Sequence, residues 1–218
     1  SYVGQGDVAT QAGKDYRKVT GNSLYEVLTL LRFGRFDEVL ANDDRPADDV
    51  AAAIWDFAFG YASLKMGDIG TAIDIQSRIS DFAANTDGMF RFHPASRVVG
   101  TLAQMLAGEI AWFQGNLDAA ISAFENAVSI EDQLDYDEPE PLPFSARHWL
   151  GAALLEARRY DDAAQVYEAE LADHPRNGWS LYGLRAALTG QGLSDPDINL
   201  DFVESWARAD VWITSSKF

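Results

Sequence analysis

The sequence predicts an all-α protein, an α-solenoid in which antiparallel helix pairs stack on one another. Apolar residues recur with the 3.6-residue period of a helix along most of the chain, and no segment shows the alternation typical of a strand. Small residues, turn residues and alanines also recur in phase. A single helix pair leaves one apolar face uncovered, so pairs with this pattern are expected to stack.

The repeat has a small residue, a turn residue seven positions later and an alanine five positions after that. Three blocks carry it: Gly60, Gly67 and Ala72; Gly108, Gly115 and Ala120; and Gly151, Arg158 and Ala163. The small residue lets a second helix approach closely, and the turn residue takes the left-handed conformation that ends a helix. Phe124 and Tyr167 follow four residues after the alanine in two blocks and are expected to fill the next layer. Two further turns align at Gly34 and Gly190.

These blocks resemble the tetratricopeptide repeat (TPR), whose period is 34 residues. The resemblance implies about four to five stacked helix pairs, with the first helix of each pair lining a concave groove. The helices predicted from the apolar period are Ser23–Phe33, Phe36–Ala41, Asp48–Met66, Ile69–Ala84, Ala95–Gln114, Leu117–Ile130, Phe144–Ala157, Tyr160–Ala172, Asn177–Gln191 and Ile198–Thr214. Three regions follow: a leading segment 1–22, expected as a leading helix or as partly disordered, TPR-like repeats over 23–197, and a C-terminal capping helix in 198–218.

A second, narrower resemblance rests on seven runs of residues. They are Arg-Phe-Gly-Arg-Phe-Asp-Glu-Val-Leu at 32–40, Leu-Ala-Gly-Glu-Ile-Ala at 106–111, Glu-Asp at 131–132, Tyr-Asp-Glu-Pro at 136–139, Leu-Gly-Ala-Ala-Leu-Leu at 150–155, Ala-Gln-Val-Tyr at 164–167 and Pro-Arg-Asn-Gly-Trp-Ser-Leu at 175–181. They resemble the C-terminal half of a family of bacterial TPR proteins of undefined activity. Where that family has Pro-Pro-Trp, residues 139–143 read Pro-Glu-Pro-Leu-Pro. The resemblance implies the architecture and a shared concave site, and supplies no reaction.

The charge of the chain restricts its partners. The 218 residues include 34 acidic and 17 basic side chains, which gives a formal net charge of −17. A net negative charge of this size repels nucleic acid and anionic lipid, so neither is expected as a partner. The chain has no cysteine, which excludes disulfides and thiolate chemistry. The sequence does not determine the cellular compartment. A soluble protein is expected, and the cytoplasm is favoured over the periplasm.

The most distinctive segment is the acidic loop, residues 131–143. Six of its first ten residues are acidic and its three prolines alternate, which favours an extended connection. The functional interpretation is a loop that faces a peptide, a small molecule or a cation, since oxygen-rich loops suit hard cations such as Ca²⁺. The alternative is a solvated loop without a ligand. The expected contact residues are Glu109, Tyr136, Asp137, Glu138, Arg147, His148, Trp179 and Tyr182. For Arg147 the alternative is an ion pair with Asp137 or Glu138, and for Trp179 it is core packing.

The leading hypothesis is a non-catalytic interaction module that binds a peptide or a basic partner segment in its groove. The alternative is a small-molecule or metal site, with or without catalysis, at the acidic loop. The sequence has no nucleophile motif, so an enzyme is the less favoured interpretation. No cofactor is expected, because there is no phosphate-binding glycine loop and the three histidines lack metal-ligand spacing. Apolar residues at Phe202, Trp206, Ala209 and Ile213 are expected to cap the array or, as the rival interpretation, to form a homodimer contact.

Overall fold

The computed structural model describes residues 2–218, and within them the chain forms eleven helices and one short antiparallel hairpin. The elements are α1 (Gly6–Thr20), α2 (Leu24–Arg32), α3 (Phe36–Leu40), α4 (Asp49–Lys65), α5 (Ile69–Asn85), β1 (Met89–Phe90), β2 (His93–Pro94), α6 (Ala95–Phe113), α7 (Leu117–Glu131), α8 (Arg147–Glu156), α9 (Tyr160–Asp173), α10 (Gly178–Gly190) and α11 (Pro196–Trp206). The predicted TPR-like fold of sequential helix pairs is confirmed.

The contacts divide the chain into two compact units. The N-terminal unit is Val8–Pro143, in which α2 packs with α3, α4 with α5, and α6 with α7. The C-terminal unit is Phe144–Phe218 together with the first residues up to Asp7, and in it α8 packs with α9 and α10 with both α9 and α11. The expected boundaries between the leading segment, the repeats and the capping helix, at residues 22 and 197, stay predictions.

The predicted small residues lie where two helices approach most closely. A Cβ atom on Gly108 would lie 2.3 Å from the ring of Phe124 within the N-terminal unit. In the C-terminal unit, a Cβ on Gly151 would lie 2.3 Å from the ring of Tyr167. Both rings are fully buried. Glycine is therefore needed at these positions because the aromatic ring of the second helix occupies the place of its side chain.

The turn positions confirm four of the five predicted helix ends. Gly34, Gly67 and Gly115 have positive φ, and Arg158 takes the same left-handed conformation with φ +57°. The fifth predicted turn residue, Gly190, is wrong, because the residue with positive φ at this helix end is Gly192. Gly190 instead belongs to α10, and a Cβ there would lie 2.4 Å from the ring of Tyr160, so it serves close packing.

The C-terminal end of the chain differs from the sequence prediction. Residues 6–20 form a helix, which is one of the two alternatives expected for the leading segment. The last helix ends at Trp206, eight residues before the predicted end at Thr214. After Trp206 the chain makes specific polar contacts that a continued helix would not place there. The Asp210 carboxylate accepts backbone N–H groups of Gly6 and Asp7, at 2.6 and 3.0 Å. The β1–β2 hairpin was also not predicted, since two-residue strands carry no alternation signal.

Aromatic side chains join α11 to α10 within the C-terminal unit, while the capping role expected for this helix stays a prediction. Trp206 packs edge-to-face on Trp179 of α10 with ring centroids 5.2 Å apart, and Phe202 stacks on Trp206 at 5.9 Å. The predicted stripe does not continue to Ile213, because the helix has already ended. No helix among residues 2–218 is long and apolar enough to cross a membrane.

Candidate functional site

The acidic loop follows α7 and is fastened to the N-terminal unit from one side. Arg91, at the tip of the β1–β2 hairpin, donates from Nη2 to Oδ1 of Asp137 at 2.8 Å. Its Nη1 donates to the backbone carbonyl oxygen of Pro139 at 2.5 Å, with the carbonyl of Glu140 at 3.4 Å. One guanidinium therefore holds three successive parts of the loop.

Arg91 reaches the loop from a strained backbone conformation. Its φ is +57°, in the left-handed region that non-glycine residues rarely adopt, and such a conformation costs roughly 1–3 kcal/mol. The hairpin pairing of Phe90 with His93 forces this tight turn. Burial raises the pKa of Tyr25 on α2, while Arg91 beside it acts in the opposite direction, so the guanidinium also lies against α2.

Asp137 has a second partner on the same hairpin. Nε2 of the fully buried His93 lies 3.3 Å from Oδ2 of Asp137. A carboxylate only accepts, so Nε2 carries the proton in this contact. Nδ1 of His93 has no hydrogen-bond partner within residues 2–218. Both oxygens of the buried Asp137 carboxylate are thus bonded to the hairpin, and we call Arg91, His93 and Asp137 the loop anchor.

The opposite side of the loop faces solvent. Tyr136 is 86% exposed, and Asp135 and Glu138 beside it are exposed as well. A hydrogen bond to the Glu138 carboxylate raises the pKa of Tyr136 above its ordinary value, so the phenol stays protonated and uncharged at neutral pH. We call Asp135, Tyr136 and Glu138 the outer face of the loop. It combines an aromatic ring with carboxylates on a backbone that the loop anchor fixes.

Glu109, predicted as a groove residue, lies on α6 and is only 3% exposed. Nζ of Lys65 on α4 donates to its Oε2 at 2.6 Å. The ion pair thus joins the first helices of two successive pairs. Lys65 also lies 4.9 Å from the ring centroid of Tyr61, so its charge is shared between a carboxylate and an aromatic face.

The C-terminal unit holds His148 in a buried polar network. Its Nε2 lies 3.1 Å from Ser180 Oγ and 3.0 Å from Asn177 Nδ2, and the same amide nitrogen donates to Glu170 Oε1 at 2.7 Å. His174 Nδ1 approaches that Glu170 oxygen at 3.0 Å. Ser180, His148 and Glu170 are at most 2% exposed, so the centre of this network is shielded from solvent, whereas His174 at its edge is partly exposed.

The network has the residue types of a catalytic triad but not its geometry. In a triad, the serine and the carboxylate contact different nitrogens of the histidine ring. Here Glu170 Oε1 lies 3.7 Å from Nε2 of His148, the nitrogen that also faces Ser180. An amide nitrogen only donates, so Nε2 accepts from Asn177 and is occupied. The arrangement suits a structural network between α8, α9 and α10.

The other predicted contacts of the C-terminal unit differ in burial. Trp179 is 5% exposed and packs on Trp206, as its core-packing alternative expects. Tyr182 is half-buried and donates from its hydroxyl to the carbonyl oxygen of Thr214 at 3.1 Å. Arg147 begins α8 and is half-buried, and the ion pair considered for it stays a prediction.

The structure therefore brings Tyr136, Asp137 and Glu138 together on one loop, whereas Glu109 belongs to a separate ion pair. Sequence reasoning missed Arg91 as the residue that fastens the loop. The signal was the run Phe90-Arg91-Phe92-His93-Pro94, which stands out as an inter-helix segment rich in aromatic and basic side chains. The partner of Arg91 is Asp137, which lies 46 positions later, and sequence spacing gives no indication of a contact over that separation. Within residues 2–218, no three carboxylate or imidazole groups are placed to hold a metal ion.

Comparison with known proteins identifies one repeat. The family model for the tetratricopeptide repeat matches residues 103–133, which cover most of α6, all of α7 and the first residues after it. No curated protein and no solved structure matches the chain. The chain thus contains a TPR, and the match extends over the first three residues of the acidic loop.

Proposed function

We propose that this protein is an interaction module that binds a basic segment of a partner protein, with the outer face of the acidic loop as a contact surface. The TPR within residues 103–133 indicates a protein–protein interaction module. The observation that carries the finer proposal is the exposed Tyr136, flanked by carboxylates, on a loop that the loop anchor holds in place.

The outer face has the chemistry that a basic segment requires. Asp135 and Glu138 can accept charge-assisted hydrogen bonds from arginine or lysine. The ring of Tyr136 offers a face on which a guanidinium can stack, an interaction of about 0.5–1 kcal/mol at an exposed site. Because the loop anchor already fixes the backbone, binding loses little loop entropy.

Long-range electrostatics supports the same partner. The N-terminal unit contains 22 acidic and 10 basic side chains, so most of the negative charge of the chain lies in the unit that carries the loop. Such a field speeds the encounter with a basic partner and weakens as salt is raised. The groove along the first helices, expected from the repeat, is part of this proposal as the path of the remaining partner chain.

The alternative, a small-molecule or metal site at the loop, has less support. Both carboxylate oxygens of Asp137 are already bonded to Arg91 and His93, which leaves that carboxylate little capacity for a ligand. Asp135 and Glu138 are exposed and face water. Exposed carboxylates without a buried partner suit a polypeptide that brings its own covering surface better than a small ion.

The test is a titration that separates the outer face from net charge. A fluorescein-labelled peptide rich in arginine and lysine is titrated with the protein, and its anisotropy is followed at two salt concentrations. Asp135→Asn/Tyr136→Ser/Glu138→Gln should weaken binding at least roughly tenfold, since it removes two charge-assisted contacts and one aromatic contact. Asp137 is kept, so the loop stays anchored.

The matched control removes two charges from the same unit outside the loop. Asp118→Asn/Glu125→Gln changes exposed carboxylates of α7 and should alter the affinity less than threefold through the general field. Equal losses in both variants would show that only net charge matters and would refute the loop as a contact surface. Binding that does not respond to salt would refute the electrostatic part of the proposal.

A further inference from the structure

An open groove of about 580 Å³ lies between α4 and α5 of the N-terminal unit, apart from the acidic loop. Its walls carry two arginines, Arg45 from the segment before α4 and Arg78 from α5. Helix α3 ends at Leu40 after only five residues, and the irregular segment that follows it carries Arg45. Its volume is in the range of small-molecule sites.

The two arginines converge on one buried carboxylate. Nε and Nη2 of Arg45 donate to the two oxygens of Asp56, at 2.7 and 2.9 Å. Arg78 contacts Oδ2 of Asp56 through Nε at 3.2 Å and Nη2 at 3.1 Å. Asp56 is only 3% exposed, so a buried carboxylate fixes the position of both guanidiniums. Both Nη2 atoms contact the same oxygen of Asp56, at 2.9 and 3.1 Å, so the two guanidiniums lie close together.

Both guanidiniums keep donors for a ligand. Their side chains are 48% and 57% exposed. A guanidinium has five N–H donors, and Nη1 of Arg45 and of Arg78 has no acceptor within residues 2–218. The hydrogen bond to Asp56 also raises the pKa of Arg45 above its ordinary value, so the group stays charged. Two fixed cations with unused donors are suited to bind an oxyanion.

An aromatic wall lies next to the arginines. The rings of Trp55 and Phe59, one helical turn apart on α4, stack with centroids 5.3 Å apart and planes at 17°. Trp55 is 6% exposed and Phe59 is half-buried, and both line the groove. A flat apolar group can therefore pack against this wall while a charged group on it reaches the arginines.

Two further carboxylates restrict the charge of the ligand that the groove can accept. Asp74 on α5 is exposed and also lines the groove, and Asp49 at the start of α4 acts on Arg45 through its charge. The arginines therefore do not form a broad positive patch that would attract a polyanion. They offer directed donors for one anionic group, beside carboxylates that disfavour a second negative group.

We propose that this groove binds a small ligand with a single oxyanion, a carboxylate or a phosphate, attached to a flat apolar body. The oxyanion accepts from the outward N–H groups of Arg45 and Arg78, and the apolar body packs on Trp55 and Phe59. This site is separate from the acidic loop, and its ligand has the opposite charge from the basic segment proposed for that loop.

Isothermal titration calorimetry with three probes of one shape tests the site in a buffer free of phosphate and carboxylates. 2-Naphthoate and 2-naphthyl phosphate carry the oxyanion, and 2-naphthalenemethanol does not. At least one of the two anions should bind, and the tighter one identifies the oxyanion. The alcohol should bind roughly tenfold more weakly or not at all, since it lacks the charge-assisted contacts.

The variants attribute the binding to the arginines. Arg78→Gln should weaken the anion at least roughly fivefold while the bidentate Arg45–Asp56 contact keeps the fold intact. Arg45→Gln/Asp56→Asn/Arg78→Gln should abolish anion binding without leaving a buried carboxylate unpaired. Arg159→Gln in the C-terminal unit removes the same charge from an exposed side chain and should leave the affinity unchanged.

Three results would overturn the proposal. They are no binding of either anion at millimolar concentration by the folded protein, equal binding of the alcohol and the anions, and unchanged anion affinity in the folded triple variant. Circular dichroism establishes that each variant is folded before it is titrated. The acidic-loop variants serve as an independent check, since they should bind the naphthyl anions like the wild type.

Discussion

Replacing Gly108 by alanine sets two opposing effects against each other. Alanine in a helix interior is favoured over glycine by about 0.8–1.0 kcal/mol. The new Cβ would lie 2.3–2.7 Å from three ring carbons of Phe124, a fully buried side chain, so either the ring or α7 must move. Overpacking a well-filled core costs typically 1–3 kcal/mol, and this contact is tight enough to place it at the upper end. We expect a net destabilisation of about 1–2 kcal/mol.

Gly100 on the same helix provides the matched control. A Cβ there would meet only Ile130, at 3.8 Å, which is an ordinary van der Waals distance. Gly100→Ala should therefore stabilise the unit by about 0.5–1 kcal/mol through helix propensity alone. Urea unfolding of both variants, followed by circular dichroism, compares them within one helix.

Opposite signs for the two substitutions are the expected result. A stabilising or neutral Gly108→Ala would refute the argument that the ring of Phe124 occupies the missing side chain of Gly108. Gly108→Ala/Phe124→Leu is a further check, since a smaller side chain on α7 should relieve the contact. If the leucine adds its own full cost instead of recovering stability, the close approach is not the cause.

Three other predictions follow from single residues. Arg158→Gly should raise the free energy of unfolding by up to about 1 kcal/mol, because φ at this turn is +57°, a conformation that glycine adopts without the cost that a side chain brings. Arg159→Gly, next to it, should not raise the free energy of unfolding, and urea unfolding measures both variants. Backbone hydrogen bonds, that from Asp7 above all, lower the pKa of Asp210, so its contribution to stability is present above the ordinary aspartate pKa and lost as the pH falls through the lowered value. The melting temperature of Asp210→Asn should therefore lie below that of the wild type at pH 7 and converge with it in acid. Asp137→Asn should destabilise the loop more than Glu138→Gln, and hydrogen exchange of residues 131–143 reports the difference.

The sequence predicts the helix pairs well because their pattern is local and repeated. Gly60, Gly108 and Gly151 each mark a close helix approach, and the turn role of Arg158 follows from its alignment with glycines. The error at Gly190 has a physical reason: two glycines close together at one helix end serve different purposes, one for packing against Tyr160 and one for the positive φ. Sequence spacing does not distinguish these purposes.

The candidate sites are harder to predict because their contacts join distant positions. The acidic loop is recognisable from composition, yet its division into an anchored side and an outer face depends on Arg91, 46 positions before Asp137. The pair Arg45 and Arg78 shares Asp56 only because the 41–48 segment folds back along α4. The end of α11 at Trp206 likewise depends on polar contacts of the following residues, for which an apolar stripe gives no signal.

Hydrogen–deuterium exchange of the protein with and without the basic peptide shows whether the peptide binds at the outer face of the acidic loop. Binding should slow exchange in residues 131–143, and the Asp135→Asn/Tyr136→Ser/Glu138→Gln variant should show no such change. Protection confined to the C-terminal unit, or a protected loop that the variant leaves equally protected, would contradict the claim that the outer face of the acidic loop binds the partner.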